Sequence, residues 1–274
     1  MDILLLIKSI IMGIIEGLTE FLPISSTGHL IIFGKLLAFE QAIGSKDLAD
    51  TFEVFIQLGS ILAVVVFFAR DLISQIQRAL QGDKPARNLL LNVMIAFVPA
   101  AAVGFLFRNV IKAYLFSPLS VALAMIVGGI IILIVERMTH RNETQQLESV
   151  NTKQALGIGI AQIASLWSGM SRSASTLVGG LLMGLDRATA LRFSFYLSIP
   201  TLVIASLYDL VNSREFITRA ALPAFGVGLI VSFVVALAVI KFFLSYVARR
   251  NLVPFAWYRI VVGILVLAYF LVAR

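Results

Sequence analysis

Six apolar runs along the chain are long enough to cross a bilayer: 52–69, 89–107, 121–135, 193–211, 222–244 and 255–272. A spanning helix needs about 20 residues. The third run reaches that length once residues 117–120 are added. Two further apolar stretches, 3–37 and 155–185, follow another pattern. The first is interrupted by Glu16, Glu20, Pro23 and the run S-S-T-G-H at 25–29, the second by Gln162 and the run S-G-M-S-R-S at 168–173. Each predicts two pieces of roughly 12 residues, a length that suits re-entrant segments better than full spans. Asp2 precedes the first run and no small-residue cleavage pattern follows it, so that segment is expected in the mature fold rather than in a signal peptide.

The two interrupted stretches align at an offset of 146, which places Gly13 on Gly159, Glu16 on Gln162, Ser25 on Ser171, Ser26 on Arg172, Thr27 on Ser173 and Gly34 on Gly180. Each half then holds one re-entrant pair and three spans, and an odd number of spans inverts the second half relative to the first. The expected fold is an all-α integral membrane protein of six transmembrane helices plus two re-entrant helix pairs in an inverted-topology repeat. It forms a single membrane domain with pseudo-repeats at 1–138 and 151–274.

Composition agrees with a membrane setting. Of 274 residues, 59% are hydrophobic and 14% charged, and the mean hydropathy is +0.97. Soluble domains average about 45–50% apolar and about 25% charged. An ordinary soluble enzyme, a disordered chain and a nucleic-acid binder are thereby excluded. The net charge of +7 becomes a topology signal rather than a nucleic-acid footprint. With the 70–88 loop placed in the cytoplasm, 13 Lys and Arg residues, Arg259 among them, fall on that side, 8 fall outside, and Arg172 is left over. Both termini are then expected outside. Cysteine is absent, which removes disulfides, thiolate metal sites and cysteine nucleophiles.

Charges inside apolar stretches cost about 2.5–3.5 kcal/mol each at the bilayer centre, so Glu16, Glu20 and Arg172 require a reason. Glu16 and Glu20 share a helix face at a spacing of four and repel unless a cation, a proton or an arginine lies between them. Pro23 should break the helix, letting Ser25, Ser26 and Thr27 cap the next one and build an anion site at its N-terminus. His29, three residues after Ser26, can face its hydroxyl within one turn. In the second stretch Gly169 frees the backbone, Ser171 and Ser173 flank Arg172, and Thr176 follows a turn later, a set suited to bidentate phosphate contacts. Together these groups suit phosphoryl transfer.

Plainer readings stay open. Ser25, Ser26, Thr27 and Ser173 can be helix caps alone, His29 a buried imidazole, and Glu16 or Glu20 with Arg172 a structural ion pair. Glu53 and Gln57 read as the entry of a span, and Gly128, Gly129, Gly179 and Gly180 as close helix contacts. His140, in the 137–153 loop, reads as solvated.

The run E-G-L-T-E-F-L-P-I-S-S-T-G-H at 16–29 closely resembles the first signature of the undecaprenyl-diphosphate phosphatases of the bacitracin-resistance type. S-G-M-S-R-S-A-S-T at 168–176 resembles their second, and F-E-V-F-I-Q-L-G-S-I-L-A-V at 52–64, G-G-L-L-M-G at 179–184 and R-F-S-F at 192–195 are also similar. The resemblance implies a phosphatase of the bacterial inner membrane that converts the C55 lipid diphosphate to the monophosphate, recycling the carrier for peptidoglycan synthesis. It implies an active site open to the periplasm or cell exterior. It further implies catalytic roles for Glu16, Glu20, Ser26, His29 and Arg172, and a divalent cation, Mg²⁺ or Ca²⁺, which Glu16 and Glu20 would hold. Phosphate-binding roles would fall to Arg172, Ser171, Ser173, Thr176, Ser25 and Thr27. The expected partners are the polyprenyl diphosphate lipid and the bilayer, with no nucleic acid and a homodimer left open.

Two departures from the signature stand out. Ser168 replaces the usual proline before Gly169, and Ala174 replaces a common glycine, narrowing a left-handed or close-approach position. Altered loop geometry is expected rather than lost activity. The expected mechanism has Ser26 attacking the terminal phosphorus, His29 taking its proton and a carboxylate orienting the imidazole, with direct attack by water as a variant. The alternative function is a flippase or transporter of the polyprenyl phosphate carrier.

Overall fold

The computed structural model describes residues 2–138 and 144–272; His140, Arg141 and Arg274 lie outside the described residues. In chain order its helices are α1 (Ile3–Thr19), α2 (Ser26–Leu36), α3 (Phe39–Ile43), α4 (Lys46–Phe67), α5 (Ala69–Leu80), α6 (Lys84–Leu106), α7 (Arg108–Leu115), α8 (Pro118–Arg137), α9 (Thr152–Ile163), α10 (Arg172–Leu182), α11 (Arg187–Ser213), α12 (Leu222–Val247) and α13 (Val253–Val272). Six of them, α4, α6, α8, α11, α12 and α13, are long and apolar enough to cross a membrane. They coincide with the six runs read from hydropathy.

Local chemistry explains the boundaries. Side-chain oxygens cap the spans: Ser45 accepts from Leu48 N–H, Asp83 from Ala86, Ser117 from Ser120 and Asp186 from Thr189. Pro118 starts α8, where a missing N–H costs nothing. Asn151 and Gln154 form a reciprocal capping box on α9. The first interrupted stretch differs from expectation in one respect. Its leading helix runs 17 residues, because Asp2 caps it at the outset and no breaker intervenes before Pro23.

The helices approach closely where small residues meet. A Cβ on Gly13 or Gly17 would strike the α12 backbone, at Gly228 O and at Ser232 O, each 2.7 Å away. The Ser232 hydroxyl donates to Ile56 O at 2.6 Å, joining α12 to α4. Gly159 of α9 lies against Ala96 of α6, and Gly129 of α8 lies against Ala256 of α13. Gly179 and Gly180 pack on Ala161 and Ala190, the close contacts their sequence implied. Where α8, α11 and α13 converge, the Glu136 carboxylate, its side chain 3% exposed, accepts from Arg187 at 2.5 Å and from Leu252 N–H at 3.0 Å.

These contacts bring the turn between α1 and α2 against the turn between α9 and α10. Phe21 of the first turn packs edge-on against Phe195 of α11, with ring centroids 5.4 Å apart. Ser173, at the start of α10, donates to Leu22 O at 2.9 Å.

Candidate intramembrane active site

Both turns end on a serine in an unusual backbone conformation. Ser25 has φ 74° and Ser171 φ 69°, a region L-residues rarely enter. Each is an N-cap: Ser25 Oγ accepts from Gly28 N–H at 3.2 Å and Ser171 Oγ from Ala174 N–H at 3.3 Å. The helices they open, α2 and α10, are both 11 residues long. Strained residues of this kind cluster at functional sites, and each here is followed by a side chain that hydrogen-bonds to Glu20. After Ser25 that side chain is Ser26; after Ser171 it is Arg172.

Glu20 is the junction between them. Ser26 Oγ donates to Glu20 Oε2 at 2.5 Å, and Arg172 Nη2 donates to Glu20 Oε1 at 3.4 Å. The pair is buried, with side-chain exposure of 8% for Arg172 and 4% for Glu20. At 3.4 Å the ion pair is loose, and Arg172 Nε is buried without a partner. The guanidinium also reaches Ser194 O at 3.3 Å and lies over the Phe21 ring, 5.8 Å from its centroid. Part of its donor fork is therefore unused. Thr176 Oγ1 shares a 2.6 Å hydrogen bond with Ser194 Oγ, and Ser171 and Ser173 share one of 3.0 Å. Ser26 and Thr27 are half-buried, more open than the fully buried groups behind them.

Glu16 sits deeper, 1% exposed, with Oε1 unpartnered. Its charged neighbours are Glu20, Glu53 and Arg172, and Ser60 lies beside it. Three carboxyl groups around one arginine leave an excess of negative charge if all are ionised, and the orphaned oxygen is a hard donor. Among the described residues no group of three or more His, Cys, Asp or Glu side chains could hold a metal ion by itself. Glu16 and Glu20 could therefore supply at most two ligands to a hard divalent cation. Water and phosphate oxygens would complete the shell.

The imidazole of His29 takes a different place from the one its spacing suggested. Its Nδ1 lies 2.7 Å from Ser25 O and its Nε2 2.7 Å from the Tyr258 hydroxyl. A carbonyl only accepts, so Nδ1 carries the proton, and in the neutral ring Nε2 accepts from Tyr258. The two rings stack, 7° from parallel. The Ser26 proton thus points at Glu20, while both ring nitrogens of His29 are engaged elsewhere.

Other expectations also change. Ala174 lies in the first turn of α10 and donates its N–H to the Ser171 cap, so it occupies a helical position and not a left-handed one. Gly169, at φ 103°, is the residue that needs glycine's freedom. Glu53, read as a span entry, lies within electrostatic reach of Glu16. Arg259, which the charge count groups with the loops, is instead 0% exposed in the core. Removing it takes the larger charge group from 13 to 12, still above 8. Tyr258 and Arg259 were missed as site neighbours. The available signal was an arginine within the apolar run 255–272, the same signal that exposed Arg172.

Six apolar helices long enough to span a membrane, around a half-buried serine and a buried carboxylate and arginine, define a multi-pass helical membrane protein with a polar site within its core. Residues 9–265 match the family described as Bacitracin resistance protein BacA, and the chain belongs to that family. It is 50% identical over 272 residues to an undecaprenyl-diphosphatase of Polaromonas naphthalenivorans (strain CJ2), covering 98% of this chain and 96% of the relative. Undecaprenyl-diphosphatases of Nitrosomonas europaea and Deinococcus radiodurans are 46% and 47% identical, each over 97% of this chain and 95% of the relative. The protein is a multi-pass protein of the bacterial inner membrane.

Proposed function

We infer that the chain is an undecaprenyl-diphosphate phosphatase: it hydrolyses the terminal phosphate of the lipid diphosphate, leaving undecaprenyl phosphate for reuse in peptidoglycan synthesis. The hydrolase names of full-length relatives favour this over a lipid carrier. One observation carries the chemistry. The Ser26 hydroxyl is already hydrogen-bonded to a carboxylate, at 2.5 Å, beside an arginine with an unused donor.

Arg172 and the N-termini of α2 and α10 bind the diphosphate. Ser26 Oγ attacks the terminal phosphorus as its proton passes to Glu20 Oε2. The bond from that phosphorus to the bridging oxygen breaks, and undecaprenyl phosphate leaves with the electron pair. Water then hydrolyses the phosphoserine, releasing inorganic phosphate and restoring the serine. This assigns the base role to Glu20. His29, fixed between Ser25 O and Tyr258, orients the turn that presents Ser26. A divalent cation, Mg²⁺ or Ca²⁺, bound through Glu16 and Glu20 would neutralise charge on the phosphate oxygens.

The finer architecture belongs to the same proposal. The α1–α2 and α9–α10 pairs are re-entrant, and residues 1–138 and 151–274 are inverted pseudo-repeats whose active site faces the periplasm or cell exterior. The 146-residue correspondence of Ser25 with Ser171, in matching backbone conformations, supports the repeat. The excess of Lys and Arg on the side of the 70–88 loop supports the orientation.

Purified protein in detergent, supplied with undecaprenyl diphosphate, is expected to release inorganic phosphate. Ser26→Ala is expected to abolish release, and full activity there would eliminate the covalent route. Translocation of lipid in vesicles without phosphate release would overturn the phosphatase reading. EDTA is expected to stop turnover, with Mg²⁺ or Ca²⁺ restoring it.

A further inference from the structure

We propose that Arg259 is a positioning residue of this site, whose guanidinium locks the turn bearing Glu20 and Ser26 to the turn bearing Arg172. The proposal rests on the phosphatase reading for its kinetic consequence, though not for its geometry. Arg259 is wholly buried on α13, and among the described residues every hydrogen bond it makes goes to a backbone carbonyl. Nη1 donates to Pro23 O at 3.3 Å, in the first turn. Nη2 reaches Gly169 O at 3.1 Å and Met170 O at 2.9 Å, in the second. Nε and Nη2 also reach Met125 O and Ala124 O of α8, each at 3.3 Å, which fixes the cation to the helical frame.

Pro23 stands three residues before Ser26, and Met170 two before Arg172. One planar side chain therefore sets the offset between the nucleophile and the phosphate-binding arginine. Only a guanidinium offers five N–H donors in a rigid fork; an ammonium has three on a flexible stem and cannot span the same carbonyls. The chain makes room for it. A Cβ at Gly128 would lie 2.6 Å from Arg259 Cζ, so any side chain there would push the fork off its carbonyls. The neighbouring residue Tyr258 holds His29 at the start of α2. Adjacent residues of α13 thus grip the site from outside without touching the reacting atoms. A buried cation facing only carbonyls is costly. A site needing fixed geometry between two otherwise separate turns accounts for its presence.

The test compares wild type, Arg259→Lys, Arg259→Met, Gly128→Ala and the Arg259→Lys/Gly128→Ala double variant, all in detergent. Phosphate-release kinetics and melting are read together with hydrogen exchange of peptides covering 20–27 and 168–174. Misplacement of about 1 Å can cost about 10²-fold in rate. Arg259→Lys and Gly128→Ala are each expected to lower kcat at least about tenfold with KM within about threefold, and to speed exchange in both turns together. The double variant is expected to lose little more than either single one, because both remove the same lock. Four outcomes would overturn the proposal: unchanged kcat in folded variants, a rise in KM alone, loosening of only one turn, or multiplying losses in the double variant. If Arg259→Met fails to fold, Gly128→Ala still reads the lock with the arginine retained. Wild type that released no phosphate would instead fail the functional reading, and the exchange data would still report the coupling.

Discussion

At the scale of single residues, Glu20 carries three competing roles in the proposed reaction. It accepts a hydrogen bond from Ser26, whose proton it would take in the proposed reaction, it faces Arg172, and it would help hold a cation. Glu20→Gln keeps the shape and removes the basicity, so kcat is expected to fall by about 10²–10⁴, measured as phosphate release. Tyr258→Phe removes only the hydroxyl on His29. If His29 orients rather than accepts a proton, the loss is one hydrogen bond of about 1 kcal/mol, or about fivefold in rate; a fall of several hundredfold would return the base role to His29. The caps were legible in sequence because hydroxyl residues directly before a helix have few other uses. The target of His29 was not. Ser25 O and Ser26 Oγ are both within a turn of the imidazole, and only the position of Tyr258 on a helix 229 residues away decides between them. Arg259 hid for a related reason. Near the start of an apolar run, a loop cation and a buried cation look the same until packing is known.

At the scale of helices, the six spans were readable because each is a long apolar run with few charges, and composition alone sets that pattern. The two interrupted stretches were readable as broken, since Pro23 and Gly169 act locally. Which helix each one packs on depends on glycine notches spread over distant segments. Gly17→Ala would set a Cβ 2.7 Å from Ser232 O and 2.8 Å from Val235 Cβ. Overpacking of this kind costs about 1–3 kcal/mol, and a lower melting temperature in detergent is the expected result. Gly226→Ala, where nothing lies within 4 Å of the new Cβ, is the control and should melt as wild type does.

Across the whole molecule, charge outside the bilayer ties the ends of the helices. Arg78 bonds Glu148 at 2.6 Å and Asp83 at 2.7 Å. The guanidinium holds both carboxyls below their ordinary values of 3.8 for Asp83 and 4.5 for Glu148. A lowered folded value adds stability above the ordinary range that is lost as pH falls through it. Melting temperature should therefore drop below about pH 4, and Arg78→Ala should flatten that drop; the effect is small because the cluster is exposed. The absence of cysteine makes orientation directly measurable. A single cysteine replacing Gln81 is expected to resist an impermeant thiol reagent in intact cells and to react once they are opened.

The two strained serines carry a last implication. Ser25 and Ser171 give their successors the same backbone presentation, yet those successors are a hydroxyl in one case and a cation in the other. Identical successors would leave either two nucleophiles with no phosphate clamp or two cations with nothing to attack. In the proposed reaction, that division of labour between the turns is what makes turnover available at all. Neither half of the chain would be expected to work alone, but separately expressed halves that reassemble should regain turnover as a complementing pair.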